Sequence, residues 1–289
     1  MKIISVFVSA LTLLLASCVS SQASLEAQTR SSSRGGSQAA ASQAHAGQIP
    51  VEIKHSVLFA DGSLDEYTTF EYDPSYSSIM NQARYSASDT MLEQVEFAYQ
   101  EDKGILTTKI TRDVENRLKN RVVYQYNNQG QLWRETLTNK SGKAVSSYEY
   151  AYDSKGNRIT RIMNSGLDLK MAETSYMYND RGYVVTSETK DPAGRKISST
   201  RNNYDGQGNL LSQQVLNAAG EVVSVVNAVW QNGLEIKNEQ IGVDGAVQLR
   251  ITNEYGPEGE LLRKTIENFQ GESTQITQYE YTFKPDSRK

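Results

Sequence analysis

Apolar and polar residues alternate along most of the chain in short runs. The run Tyr148-Glu-Tyr150-Ala-Tyr152 places three tyrosines on one side of an extended segment. Period-two alternation rich in Tyr, Val, Ile and Thr predicts half-buried β-strands. The runs are separated by sequences such as Asp153-Ser-Lys-Gly156, in which Asp or Asn opens a turn and Gly takes the positive φ at its end. The pattern therefore predicts successive β-hairpins, and helical spacing is confined to the N-terminal segment.

The hairpins repeat with a fixed period. The aromatic residues before successive turns are 26 residues apart, and a period of this size is typical of an array of similar units. We therefore predict an all-β fold of tandem antiparallel β-hairpin repeats, period about 26, forming an elongated, curled or single-layer sheet. The residues that define the period are Tyr126, Tyr152, Tyr178, Tyr204 and Trp230, and Tyr72, Tyr99, Tyr255 and Tyr281 extend the series with spacings of 25 to 27.

One copy of the repeat resembles a known family. The segment Tyr150-Ala-Tyr152-Asp153-Ser-Lys-Gly156-Asn-Arg-Ile159 is similar to the YD repeat of Rhs-type wall proteins and teneurin-like proteins, and segments 178–182 and 204–210 are weaker copies. The resemblance covers residues 70–283. It implies a β-sheet of hairpins, which in that family spirals into a shell around enclosed cargo. Because this chain is far shorter than those proteins, the resemblance implies a short open or curled segment.

The N-terminal residues predict export and a lipid anchor. Residues 1–17 form a signal peptide, since the apolar run from Ile3 to Ala16 is shorter than the about 18–20 residues that a spanning helix needs. Leu15-Ala-Ser-Cys18 resembles the bacterial lipobox, in which Cys18 is lipidated, with palmitate among the expected groups. Cys18 is the only cysteine in the chain. The alternative is an ordinary signal peptide with an incidental cysteine.

The remainder of the chain divides into two parts. Residues 18–50, rich in Ser, Ala and Gln, predict a disordered tether that spans about 30 Å. Residues 51–289 form the predicted repeat domain. Its least regular part is the stretch from Asp73 to Leu92, where residues 75–82 predict a loop or a short helix.

Composition excludes several kinds of chemistry. The two histidines are His45, in the tether, and His55, alone on the first strand. No cysteine follows Cys18, so thiol catalysis and Cys-containing zinc sites are excluded from the repeat domain. The net charge is −4, and no basic cluster is interleaved with aromatics as nucleic-acid binding requires. We therefore predict no catalytic residue, no metal, no cofactor and no nucleic-acid partner.

These features predict a non-enzymatic protein of the bacterial envelope. The expected location is the outer membrane, through the lipid anchor, with either a periplasmic or a surface face. The expected role is an interaction or structural scaffold with a protein or glycan partner in the envelope. Exposed sheet edges offer one route to a partner, by β-strand addition. The repeat aromatics are either a ladder that holds the sheet together or a strip that binds glycan or peptidoglycan; they are Tyr126, Tyr152, Tyr178, Tyr204 and Trp230.

Overall fold

The structure, a computed structural model, describes residues 48–285, and these form eighteen antiparallel β-strands. Each strand pairs with the strands before and after it in sequence. The first nine strands are β1 (Gln48–Leu58), β2 (Leu64–Tyr72), β3 (Ile79–Ser86), β4 (Met91–Gln100), β5 (Ile105–Arg112), β6 (Leu118–Tyr126), β7 (Leu132–Asn139), β8 (Ala144–Tyr152) and β9 (Arg158–Ser165). The others are β10 (Lys170–Tyr178), β11 (Val184–Lys190), β12 (Lys196–Tyr204), β13 (Leu210–Asn217), β14 (Val222–Gln231), β15 (Leu234–Gly242), β16 (Val247–Tyr255), β17 (Leu261–Asn268) and β18 (Ser273–Pro285).

The sheet is closed into a barrel by pairing of its first and last strands. The ladder between β1 and β18 runs from Gln48 opposite Pro285 to Leu58 opposite Ile276. The all-β class and the antiparallel order of the hairpins are as predicted, whereas the predicted open, curled or single-layer sheet is wrong. The physical reason is that nine two-strand units bring the two edge strands together, and pairing satisfies the backbone groups that an open sheet leaves exposed.

The signal peptide, Cys18 and most of the predicted tether lie outside the described residues. β1 begins at Gln48, within the segment predicted as tether, and pairs there with the end of β18. Residues 75–82, for which the sequence predicted a loop or a short helix, contain the end of a six-residue turn that begins at Asp73 and the beginning of β3. We call the end of the barrel at which residues 48 and 285 lie the terminal rim.

Most of the turns follow one plan, at both ends of the barrel. In the turn after β8, the backbone N–H of Asp153 donates to the carbonyl of Asn157, and Gly156 N–H donates to the carbonyl of Asp153. The Asp153 carboxylate accepts the N–H groups of Lys155 and Asn157, at 2.9 and 2.8 Å. These bonds satisfy the turn amides. The side-chain N–H of Asn157, which also donates to the carboxylate, and then these backbone N–H groups lower the pKa of Asp153. The repeated Asx and Gly residues thus fix the register of each hairpin.

The two faces of the sheet differ in chemistry. Residues paired across the ladder share a face, so Tyr124, Glu135 and Tyr148 lie together on one side. We call this side the tyrosine face, and Tyr150 there is 7% exposed and donates its hydroxyl to Glu135. On the other side, the charged face, Arg134 pairs with Glu149 at 3.1 Å.

A first prediction concerns the turn glycines. At Gly142, φ is +77° and an added Cβ would meet nothing within 4 Å, so Gly142→Ala isolates the cost of the left-handed backbone. We expect a loss of about 1–2 kcal/mol in the free energy of unfolding, measured by urea denaturation. Gly206 is equally uncrowded and has no positive φ, so Gly206→Ala is the matched control. Equal effects of the two substitutions would contradict this account of the turns.

Candidate functional site

The terminal rim carries a ring of aromatic hydrogen bonds, one for each two-strand unit. Each aromatic side chain at the end of an even-numbered strand donates to the carbonyl oxygen of the residue twenty positions before it, on the preceding strand, at 2.6–2.9 Å. The donors are Tyr72, Tyr99, Tyr126, Tyr152, Tyr178, Tyr204, Trp230, Tyr255 and Tyr281, and the acceptors are Glu52, Ile79, Leu106, Leu132, Arg158, Val184, Leu210, Glu235 and Leu261.

These aromatic clamps lie where the backbone ladder has ended. The pairing of β5 with β6 stops at Thr108 opposite Val123, so the carbonyl of Leu106 lies beyond the last rung. The hydroxyl of Tyr126 reaches that carbonyl. A buried carbonyl without a donor would cost about 1–3 kcal/mol. Each clamp therefore holds two diverging strand ends together, and the five sequence-predicted aromatics all take part.

The clamp tyrosines are half-buried, and burial changes their titration. Burial, together with the negative charge of Glu52, raises the pKa of Tyr72 to about 12. Burial also raises the pKa of Tyr126, Tyr204 and Tyr255. In Trp230 the indole N–H replaces the phenol as donor, at 2.8 Å from the carbonyl of Leu210. What the position requires is a flat aromatic side chain with a donor at its tip.

His55 lies on β1, inside the seam that closes the barrel. Its Nδ1 lies 2.8 Å from the carboxylate of Glu52. Its ring packs at a tilt against Phe70 and Tyr279, with centroid distances of 5.5 and 5.8 Å. Because aromatic rings flank the imidazole and the nearest acid is a neighbour on the same strand, the arrangement is that of a packed structural histidine. His45 lies outside the described residues.

A cleft opens on the terminal rim beside the seam. Its volume is about 530 Å³, and the turn between β2 and β3 forms one wall. That turn is one residue longer than the common turn of the barrel, in which the first N–H donates to the fourth residue along, because Asp73 N–H donates to Ser78, the fifth residue along. The sequence signals of this longer turn are the absence of a turn glycine and the spacing of 27 between Tyr72 and Tyr99. The lining residues are Ile53, Phe70, Glu71, Tyr72, Asp73, Pro74, Tyr76, Thr282 and Lys284.

Two further observations concern the part of the chain that the structure describes. Among residues 48–285 no group of three or more His, Cys, Asp or Glu side chains is arranged to hold a metal ion. Over the same residues, no helix has the length and apolar character needed to cross a membrane.

Comparisons with known proteins show weak structural similarity alone. No family model and no curated protein matches the chain. The Tc holotoxin pore of Photorhabdus luminescens matches 81% of this chain at 13% identity and a TM-score of 0.36, and this chain spans 16% of that protein. A porin-like protein of Bacteroides uniformis matches 81% at 11% identity and a TM-score of 0.41, over 98% of its own length. At these values the similarities carry no argument about function.

A second prediction concerns the clamps. Tyr178→Phe removes the hydroxyl that bonds the Arg158 carbonyl at 2.6 Å. We expect the free energy of unfolding to fall by about 1–2 kcal/mol, measured by urea denaturation, because the carbonyl loses its donor. Tyr176 lies two residues away on β10, and its hydroxyl has no hydrogen-bond partner among the described residues, so Tyr176→Phe is the control. If Tyr176→Phe cost as much, the hydroxyl bond would not be what stabilises the rim.

A third prediction concerns alkaline pH. The folded protein raises the pKa of Tyr72 from 10 to about 12, so between these values it retains a proton that the unfolded chain loses. Stability from this group is complete below pH 10 and declines as pH rises toward 12. We expect unfolding free energies measured by urea at pH 9, 10 and 11 to fall above pH 10, and less steeply in Tyr72→Phe. A flat profile in the unmodified chain would refute the burial argument.

Proposed function

We propose that this chain is an exported lipoprotein of the bacterial envelope, anchored to the outer membrane through Cys18, whose barrel is an interaction or structural scaffold. The observation that carries the proposal is the position of the sole cysteine. It follows directly on a short apolar N-terminal run and precedes a polar stretch that ends where β1 begins. A flexible stretch of this composition suits a tether between a lipid and a folded domain.

The chemistry of the barrel wall supports anchoring by lipid rather than by insertion. A membrane-spanning barrel presents an apolar band about 25 Å tall, and Arg or Lys at its centre costs about 2–4 kcal/mol. Here both faces carry charges in mid-strand, with Glu135 and Arg161 on the tyrosine face and Arg121, Glu149 and Arg201 on the charged face. Whichever face is outside, its mid-strand charges favour contact with water over contact with lipid.

The closed sheet determines how the scaffold meets a partner. Since β1 pairs with both β2 and β18, the described sheet has no free edge strand, and addition of a partner strand is excluded unless the seam opens. Contacts must therefore come from side chains of the wall or from the turns at the rims. Turn side chains tolerate sequence change without loss of the sheet, as loops on rigid scaffolds do.

The second candidate is a glycan- or peptidoglycan-binding surface. An aromatic strip that binds sugar needs ring faces open to solvent. The five repeat aromatics instead have their donors bonded to backbone carbonyls, and burial raises the pKa of Tyr126 and Tyr204. Their geometry favours the ladder role, so glycan binding would have to use another part of the barrel.

A fourth prediction tests the anchor. Cys18→Ser removes the only thiol that a diacylglycerol and palmitate-bearing modification can use, so we expect loss of labelling by an alkyne fatty-acid probe and release from the membrane fraction. The barrel should keep its urea midpoint, because Cys18 lies outside residues 48–285. Ser20→Ala, two residues further along, is the control and should stay labelled and membrane-bound. Retention of label in Cys18→Ser would overturn the lipoprotein assignment.

A further inference from the structure

The cleft on the terminal rim is built around a tyrosine in a costly backbone conformation. Tyr76 has φ +59°, and its N–H donates to the Asp73 carbonyl as the turn glycine does elsewhere. Among the described residues, the other non-glycine positions with positive φ are Asp, Asn or Glu. Asp and Asn tolerate this region by local hydrogen bonds, whereas a bulky side chain there is an outlier that costs about 1–3 kcal/mol. Glycine would fit the same turn without that cost.

The turn is held rigidly in this conformation by Asp73. Its carboxylate accepts the N–H groups of Ser77 and Ser78, at 2.7 and 2.9 Å, and the hydroxyls of Ser75 and Ser77, at 2.5 and 3.1 Å. These donors, the Ser75 hydroxyl foremost, lower the pKa of Asp73 to about 2. Asp73 is therefore occupied in supporting the turn. Its network fixes where the ring of Tyr76 stands.

The cleft combines aromatic surface with one cation. Tyr76 is 38% exposed, and its ring lies 6.1 Å from that of Tyr72. Lys284, on β18, places Nζ 4.3 Å from the centre of the Tyr76 ring, and no carboxylate of the described residues forms an ion pair with it. The remaining acid of the cleft, Glu71, accepts the side-chain N–H of Asn81 at 2.9 Å. Both carboxylates of the cleft thus accept hydrogen bonds from neighbouring residues, whereas the Lys284 ammonium, beside the partly exposed Tyr76 ring, forms no ion pair among the described residues.

We propose that this cleft is a binding site for an acidic saccharide. A sugar ring offers an apolar C–H face that packs on an aromatic side chain, and its carboxylate suits the Lys284 ammonium. A volume of about 530 Å³ lies in the range of small-ligand sites, and the open lining mixes polar and apolar surface, which suits a ligand with both kinds of surface. The site does not depend on the lipid anchor. Sugar binding by the purified chain therefore tests this proposal, and fatty-acid labelling of Cys18 tests the anchor separately.

The test uses the purified full chain and a panel of sugars in saturation-transfer NMR and calorimetry. The panel pairs acidic disaccharides, containing uronic or muramic acid, with neutral disaccharides of matched size. We expect an acidic member to bind more tightly than its neutral counterpart. Lys284→Gln should weaken the acidic member about tenfold, through loss of a charge-assisted hydrogen bond, and leave the neutral one unchanged. Absence of binding by every sugar at millimolar concentration would overturn the proposal.

Tyr76→Gly separates binding from folding. Because φ +59° suits glycine, the variant should unfold at an equal or higher urea concentration while losing about tenfold or more in affinity for the acidic sugar. Trp133 is a control aromatic outside the cleft with the same 38% exposure, and Trp133→Ala should bind normally. Unchanged binding by Tyr76→Gly, or an equal loss in Trp133→Ala, would refute the site. If Tyr76→Gly fails to fold, Lys284→Gln decides the question alone.

Discussion

The pairing of β1 with β18 is the constraint on which the rest of the structure depends. Each strand of the barrel lies beside its two hydrogen-bonded neighbours and packs against no second layer of strands. In such a single wall, an unpaired edge would leave a row of backbone donors and acceptors open to other chains. The ladder from Gln48 to Leu58 removes both edges at once. Because the cost of closing a loop grows only with the logarithm of its length, joining strands so distant in sequence is not prohibitive.

The aromatic clamps fix a constant spacing within each repeat unit. A thin wall gains little from a buried core, and Leu216 and Ser147 are its largest nearly inaccessible side chains among the described residues. Stability must then come from ladders, turn hydrogen bonds and side-chain contacts along the wall. The clamp aromatic must reach the same carbonyl in every unit, so its distance from the acceptor stays at twenty residues even where the period shifts from 26 to 27 or 25. Local geometry, rather than the overall period, is what each unit preserves.

The sequence was sufficient to predict the local structure, namely the strands and turns. It was not sufficient to predict features that require residues distant in the chain to meet. Alternation and the Asx-to-Gly turns identified the hairpins, since both signals act over a few residues. Closure was missed because nothing in the pattern of β1 distinguishes a strand that pairs with β2 alone from one that also pairs with β18. The repeat aromatics were identified from the sequence, but their acceptor carbonyls were not, because each lies twenty residues away on the preceding strand. The cleft was missed because Ile53, Tyr76 and Lys284 meet only after closure.

Closure also determines where recognition can occur on this barrel. Several charged side chains in mid-strand form ion pairs with cross-strand partners, as Arg134 does with Glu149 and Arg250 with Glu239. In a regular turn, the backbone amides and the Asx side chain hydrogen-bond within the turn itself. Few of its polar groups are therefore free to bind a ligand. The turn from Asp73 to Ser78 departs from that plan by one residue and places an aromatic ring where a glycine belongs. In a repeat architecture, a unit that departs from the repeat at an energetic cost is therefore a candidate for a binding site.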